Sequence, residues 1–387
     1  MNRLSIKPAL VAAGVLAAAI AATTNADPRP VTVHEWGTFT SIAGKNGRAV
    51  PWQPLGGPTD LPGFVRRSND VGKGPLTATV RMETPVLYFY SAQEASVDVS
   101  VGFRQGLITE YFPRAIVSPG GIRFGGPFAS GAAHTIAWSD VRIQPRALPE
   151  FPVEPTPNHY YAARETDASP VQVGRDRERF LFYRGVGSFE LPLKAVVGDD
   201  GRVGVTNTGS EAIPAVMLFE NLQGRIGWRL HRGLTGQVRL ARPTAGGDIA
   251  SMRRELQRVL VEEGLFEKEA IAMVETWSDF WFEEGTRLFY VLPRRAVDSV
   301  LPLEIRPAAA DIVRVFVGRL ELVTAASLTD LGEALRTNDR AKLIRFGRFL
   351  RPFADRFLEA PLASADRARF ETVLNAVYSN PGDGRAP

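Results

Sequence analysis

The sequence predicts an α+β protein: β-sandwich-like modules, then an α+β segment, then a helical C-terminal tail. Three observations predict it. Between residues 31 and 241, short runs of β-branched and aromatic residues are separated by Gly, Pro, Asn and Asp turns, as in sandwich strands. From Asp248 onward the apolar period changes from strand-like to helical. The chain of 387 residues has no cysteine, so packing rather than disulfides must hold it together.

The elements follow in order. Residues 1–26 read as a signal peptide: Arg3 and Lys7, then an apolar run from Ala9 to Ala22, then Thr24-Asn25-Ala26 before a cut at Asp27. The run is 14 residues, too short to span a bilayer, so no transmembrane segment is expected once it is removed. The mature protein is expected to be periplasmic or secreted. Residues 27–77 give a strand over 31–40 and a long Gly- and Pro-rich loop over 41–76.

Residues 78–146 read as a first β-sandwich-like module, with Val86–Tyr90, an alternating run at Val97, Val99, Val101 and Phe103, and Thr135–Ile143. Residues 147–172 form a linker and joint marked by Pro149, Pro152, Pro155 and Pro157. Residues 173–245 read as a second β-sandwich-like module. Its strands are Arg179–Tyr183, Phe189–Val197, Val203–Thr206 and Ile213–Glu220, with a hairpin turn at Gly198-Asp199-Asp200-Gly201.

Residues 246–324 form the α+β segment. Asp248 caps a helix over Ser251–Val261, Gly264 ends it, and a second helix runs from Glu267 to about Phe282. Strands follow at Arg287–Leu292 and Ile312–Leu322. Residues 325–387 form a tail of three or four helices between Leu328 and Tyr378.

Charge excludes one class of partner. The 46 basic residues, nearly all arginine, stand against 42 acidic ones, and no dense basic stripe accompanies a nucleic-acid motif. Nucleic acid is not expected. The four histidines, His34, His134, His159 and His231, are not paired at ligand spacing, so neither a metal nor a cofactor is expected.

Candidate site residues come from four patches. His34-Glu35 lacks the second histidine of a zinc-protease motif, because position 38 is Thr. On a strand, Glu35 shares a face with Val33 and Phe39. A carboxylate in that company either meets an arginine, Arg81 or Arg184 being the nearest in sequence, or serves as a general acid or base. His34 and Trp36 flank it. The patch after the Pro-rich linker holds His159, Tyr160, Tyr161, Arg164 and Asp167, suited to a domain joint or a contact surface.

In the third patch, a continuous helix would put Glu275, Asp279 and Glu283 on one face beside Trp277 and Trp281. Such a face is either an amphipathic core stripe or a sugar-binding cleft with carboxyl groups to move protons. The fourth patch, Arg336–Arg356, interleaves arginines with phenylalanines and reads as a helix packed on its own domain or as a basic face for a lipid or partner. No Gly-x-Ser-x-Gly elbow or phosphate-binding loop occurs, and Ser188 after Gly185-Val186-Gly187 reads as a turn.

Val33–Thr40, Arg81–Tyr90, Arg179–Gly185 and Trp277–Tyr290 resemble segments of an uncharacterised family of exported bacterial proteins, over nearly the whole mature chain. The resemblance implies no activity. Pro85–Tyr90, Val97–Phe103 and Gly106–Pro113 are also similar to a β module of secreted proteins, in which a Pro-Val-Ile-Tyr-Leu-Tyr-Pro strand leads to a Leu-Thr-x-x-Tyr-Pro turn. Ser91 and Phe112 depart from that pattern, so it implies only a fold.

The expected function is therefore a non-catalytic binding or interaction protein of the cell envelope, with an envelope or extracellular ligand. Its binding residues would come from His34, Trp36, His159, Tyr160, Tyr161, Arg164, Asp167, Trp277 and Trp281. The alternative is a carboxylate-dependent hydrolase of an envelope or extracellular polymer such as a glycan, working through Glu35, Asp279 and Glu283.

Overall fold

The first strand, Thr32–Ile42, is buried along almost its whole length, and this places it at the centre of the molecule. The computed structural model describes residues 31–55, 60–68, 76–118 and 133–379. The signal peptide and its cut at Asp27 lie outside the described residues.

A nine-stranded sheet is built around the first strand. Across it the order is Arg225–Leu234, Ile213–Leu222, Gly285–Val291, Asp311–Glu321, Thr32–Ile42, Val80–Tyr90, Leu181–Gly187, Gly106–Phe112 and the short Arg66–Arg67. The pairing of Thr32–Ile42 with Asp311–Glu321 is parallel, and the other pairs are antiparallel. That parallel ladder is a seam. All strands on one side of it come from residues before 188, and all on the other from residues after 212.

Two smaller sheets cover one face. One is built on Ala95–Phe103 and His134–Ile143, and the other holds Leu193–Val197, Val203–Asn207 and Gln237–Leu240. Val33, Phe39, Leu87 and Phe89 of the central sheet pack there against Val99, Phe103, Trp138, Ala195 and Val205. Side chains alternate along a strand, so Trp36 faces the other way. There it joins Val86, Met217, Phe289 and Val315 against the helices Ile249–Glu262 and Glu267–Thr276. The C-terminal helices form a third cluster around Leu335, Leu343, Phe349 and Phe353, closed onto Ile42 and Trp52.

The result is α+β, with sandwich-like sheets and a helical C-terminal segment. The segments 78–146 and 173–245 each divide their strands between the central sheet and a smaller one. No described helix is long and apolar enough to cross a membrane.

Three local expectations need correction. The strand expected over Phe189–Val197 forms only over Leu193–Val197. The loop expected over 41–76 carries an Ala43–Ala49 bridge, a Trp52–Ala78 bridge and the Arg66–Arg67 strand. The helix expected over Glu267–Phe282 breaks at Trp277, whose backbone (φ −108°, ψ 7°) separates Glu267–Thr276 from Ser278–Trp281. Thr276 Oγ1 donates to the Ala272 carbonyl (2.7 Å), a back-bond of the kind that bends helices. Glu275, Asp279 and Glu283 therefore do not share a helical face.

Candidate functional site

Glu35 lies on the sandwich side of the central sheet and is fully buried. Its cation is Arg314, and neither Arg81 nor Arg184 serves. The parallel register sets Glu35 beside Arg314, which no local sequence signal reveals. Arg314 Nε donates to Glu35 Oε2, and the Tyr183 hydroxyl donates to Oε1 at 2.6 Å. Arg314 Nη1 also donates to Asp298 and to the Leu301 carbonyl, each at 2.6 Å. Burial, and then the Glu35 charge, push the Tyr183 phenol well above its ordinary pKa. Both members of the Glu35–Arg314 pair have no exposed side-chain surface, so a substrate has no route to this carboxylate.

On the helix side, a polar row crosses the sheet. Thr40 stands beside Arg319 on one neighbour and opposite Arg81 on the other, Thr38 is opposite Glu83, and Arg184 is opposite Glu110. Arg184 Nη1 donates to Asp60 at 2.7 Å, and Arg348, from the tail, donates to Glu83 at 2.9 Å. Three guanidiniums, Arg81, Arg184 and Arg348, thus meet three carboxylates, Asp60, Glu83 and Glu110, and the cluster is balanced. Burial opposes ionisation of Asp60, but Arg184 and Arg81 outweigh it and hold the carboxyl well below its usual range.

His159 sits beside this row on the short 3-10 turn His159–Arg164, whose cap Asn158 accepts from the Tyr160 backbone N–H. Its ring is 5.7 Å from Trp277 and 5.6 Å from Phe280. Burial lowers its pKa to about 4; Asp60 opposes the shift and Arg184 adds to it, so the imidazole is neutral near pH 7.

The other nominated residues go to separate places. Trp277 and Trp281 are stacked at 6.5 Å in the buried core, not presented as a platform. Asp279 is exposed, and Glu283 accepts from Arg319 Nη2 at 2.5 Å. Arg319 faces the helix side and Glu35 the opposite side, so the carboxylates nominated for acid–base work are not brought together. Arg164 makes a two-point contact with Glu178 (2.9 and 2.6 Å) among Phe151, Tyr160 and Tyr161. The Tyr160 hydroxyl donates to the same Glu178, and the Tyr161 hydroxyl accepts from the Glu154 N–H. Asp167 pairs on the surface with Lys268 at 2.5 Å. Buried His34 donates from Nδ1 to Glu269 at 2.7 Å, and Trp36 packs near Tyr88.

The Arg336–Arg356 stretch is not one helix but Arg340–Ile344, a short 3-10 turn and Leu350–Leu358. Most of its arginines pair within the molecule: Arg345 with Glu284, Arg348 with Glu83, Arg351 with Glu371 and Asp355, and Arg356 with Glu359.

A cavity of about 250 Å³ opens where the end of the first strand meets the small sheet of Leu193–Val197. Gly47 shapes the loop beside it. This residue has φ +79°, and a Cβ there would meet the Ala195 carbonyl oxygen at 2.7 Å, so only glycine lets the 44–48 loop lie against that strand. The loop brings Arg48 to the cavity, where it pairs with Glu190. Ser41 is fully buried in the wall, and neither its hydroxyl nor that of Thr79 has a protein partner. Lys194 and Ser188 also line the space, with Phe189 and Leu320 as apolar wall. A second cavity of about 190 Å³ shares Phe189, Glu190, Leu191 and Thr208 with it and is otherwise mostly apolar, with Leu292 and Val300.

None of the residues nominated from sequence lines either cavity. The signal available was Ser41, a polar residue on the face that also carries Val33, Glu35 and Phe39. Lys194 and Ser188 look like ordinary residues of a strand and a turn. Among the described residues, no three His, Asp or Glu side chains come together as metal ligands. No family model matches the chain, and no curated protein matches it.

Proposed function

We propose that the chain is an exported, non-catalytic binding protein of the envelope or extracellular space, and that it holds a small ligand in the cavity walled by Ser41, Thr79, Arg48 and Lys194. One observation carries this reading: a fully buried Ser41 hydroxyl, lining a cavity, with no protein partner. A buried hydroxyl left without a partner costs about 1–3 kcal/mol, and a bound polar group would recover that cost. The wall combines apolar surface with a few converging polar groups, as ligand sites do. Export rests on the leader composition of residues 1–26 and on the resemblance to an exported family. The hydrolase alternative requires Glu35 within reach of Asp279 or Glu283, and Glu35 is sealed on the other side of the central sheet.

The test is recovery of bound small molecules from protein purified natively from its own cell fraction. Denaturing the wild type should release a small molecule that a cavity-filling Ser41→Leu variant of equal folded content does not carry. If the wild type releases nothing, and no small molecule from the producing cells raises its melting temperature, the cavity is not a binding site. Sequencing of the same sample should read a mature N-terminus at or near Asp27.

A further inference from the structure

We infer that the ligand of this cavity is a small hydroxylated acid, of the size and chemistry of a uronic or aldonic acid, with its carboxylate at Lys194. The inference rests on the cavity being a binding site. Three charged residues line it: Arg48, Glu190 and Lys194. Arg48 and Glu190 satisfy each other, with side chains 50% and 77% exposed. Lys194 is half-buried, and among the described residues no carboxylate stands within ion-pair distance of it. The lining therefore carries one uncompensated positive charge.

The rest of the wall specifies what accompanies the anion. The free hydroxyls of Ser41 and Thr79 can each donate and accept, which matches the hydroxyls of a polyol rather than a purely apolar acid. Phe189, Leu191, Leu193 and Leu320 offer apolar surface for the C–H face of such a molecule. A volume of about 250 Å³ holds a molecule of monosaccharide scale; at ~30 Å³ per water-sized unit it corresponds to about eight such units. The forked donors of an arginine suit phosphate best, and Arg48 already pairs with Glu190, so inorganic phosphate serves as the comparison anion.

Calorimetric titration of the mature chain with glucuronate, glucose and inorganic phosphate tests this. Glucuronate should bind about ten-fold or more tightly than glucose, the value of one charge-assisted contact. Lys194→Gln should abolish the difference, and Lys194→Arg should keep most of it. Lys194 is half-buried on a short edge strand, so both variants should melt like the parent. Glucose binding as tightly as glucuronate, a Lys194→Gln variant that keeps the preference, or phosphate binding without glucuronate would overturn the acid assignment while leaving the cavity a binding site. If none of the three binds in solution or appears in the cavity of a soaked crystal, the acid assignment falls, and release of a small molecule from natively purified protein decides the binding reading separately.

Discussion

Glu35 shows how one residue is read correctly in kind and missed in detail. Its strand alternation placed it among apolar side chains, and burial of a carboxylate there demanded a cation. The partner, Arg314, is 279 residues away, beyond any local pattern. Replacing Glu35 with Gln leaves Arg314 charged in the core. The variant should lose about 3–5 kcal/mol of stability, read as a lower denaturant midpoint. The double variant Glu35→Leu with Arg314→Met should lose less than the single one, because it strands no charge. A single variant that unfolds like the parent would show that the pair contributes nothing.

His159 gives a second residue-scale expectation. Its folded pKa, about 4, lies below the unfolded value of 6.5. Below pH 6.5 the unfolded chain therefore takes up a proton that the folded one refuses. Stability should fall as pH drops from about 6.5 to about 4, by as much as ~3 kcal/mol at 1.36 kcal/mol per unit. Asp60 works in a lower window. Its stabilisation is present above its unfolded value of 3.8 and is lost as pH falls further. Urea denaturation across this range should show a slope that His159→Phe removes above pH 4 and leaves in place below it.

At the scale of elements, local signals served well. Asp248 caps its helix by accepting from the Ser251 N–H (2.6 Å), and the turn at Gly198–Gly201 ends on a glycine with φ 75°. Period-2 runs became strands, except that the run expected over Phe189–Val197 forms one only from Leu193. What they could not carry was the choice of sheet, because a strand's alternation is the same whichever partner it finds. The helix break at Trp277 was also hidden, since apolar spacing continues across it. Trp277 at the break and Trp281 after it both reach the same core. Trp277→Ala should cost about 3–5 kcal/mol, as for other large buried aromatics. A variant with unchanged thermal unfolding but weakened ligand binding would instead make Trp277 part of a binding surface. Gly318→Ala should also destabilise, because its Cβ would collide with the buried Tyr290 ring.

At the scale of the whole molecule, the cavity was the least legible feature. It is assembled from the end of the first strand, the 44–49 segment, the segment from Ser188 to Lys194 and single residues such as Thr79 and Leu320, none of them unusual in its own stretch. Its chemistry exists only after folding brings those pieces together. The charged row on the other face is also a product of topology: Asp60, Arg81, Arg184 and Arg348 come from four distant stretches and tie the tail to the sheet.

The parallel ladder between Thr32–Ile42 and Asp311–Glu321 makes the protein divisible. Each half of the central sheet is contiguous in sequence, and the exposed turn around Thr208–Ser210 is a natural place to cut. Two co-expressed fragments ending and beginning there should reassociate by re-forming that ladder and the pairings of Val203–Asn207 with Gln237–Leu240 and of Ala95–Phe103 with Leu303–Arg306, with Glu35 on one piece and Arg314 on the other. Either fragment alone would leave its ladder strand as an open edge, prone to pair with copies of itself. The chain would then serve as a two-part reporter, and Glu35→Gln should weaken its reassembly by leaving Arg314 charged in the core.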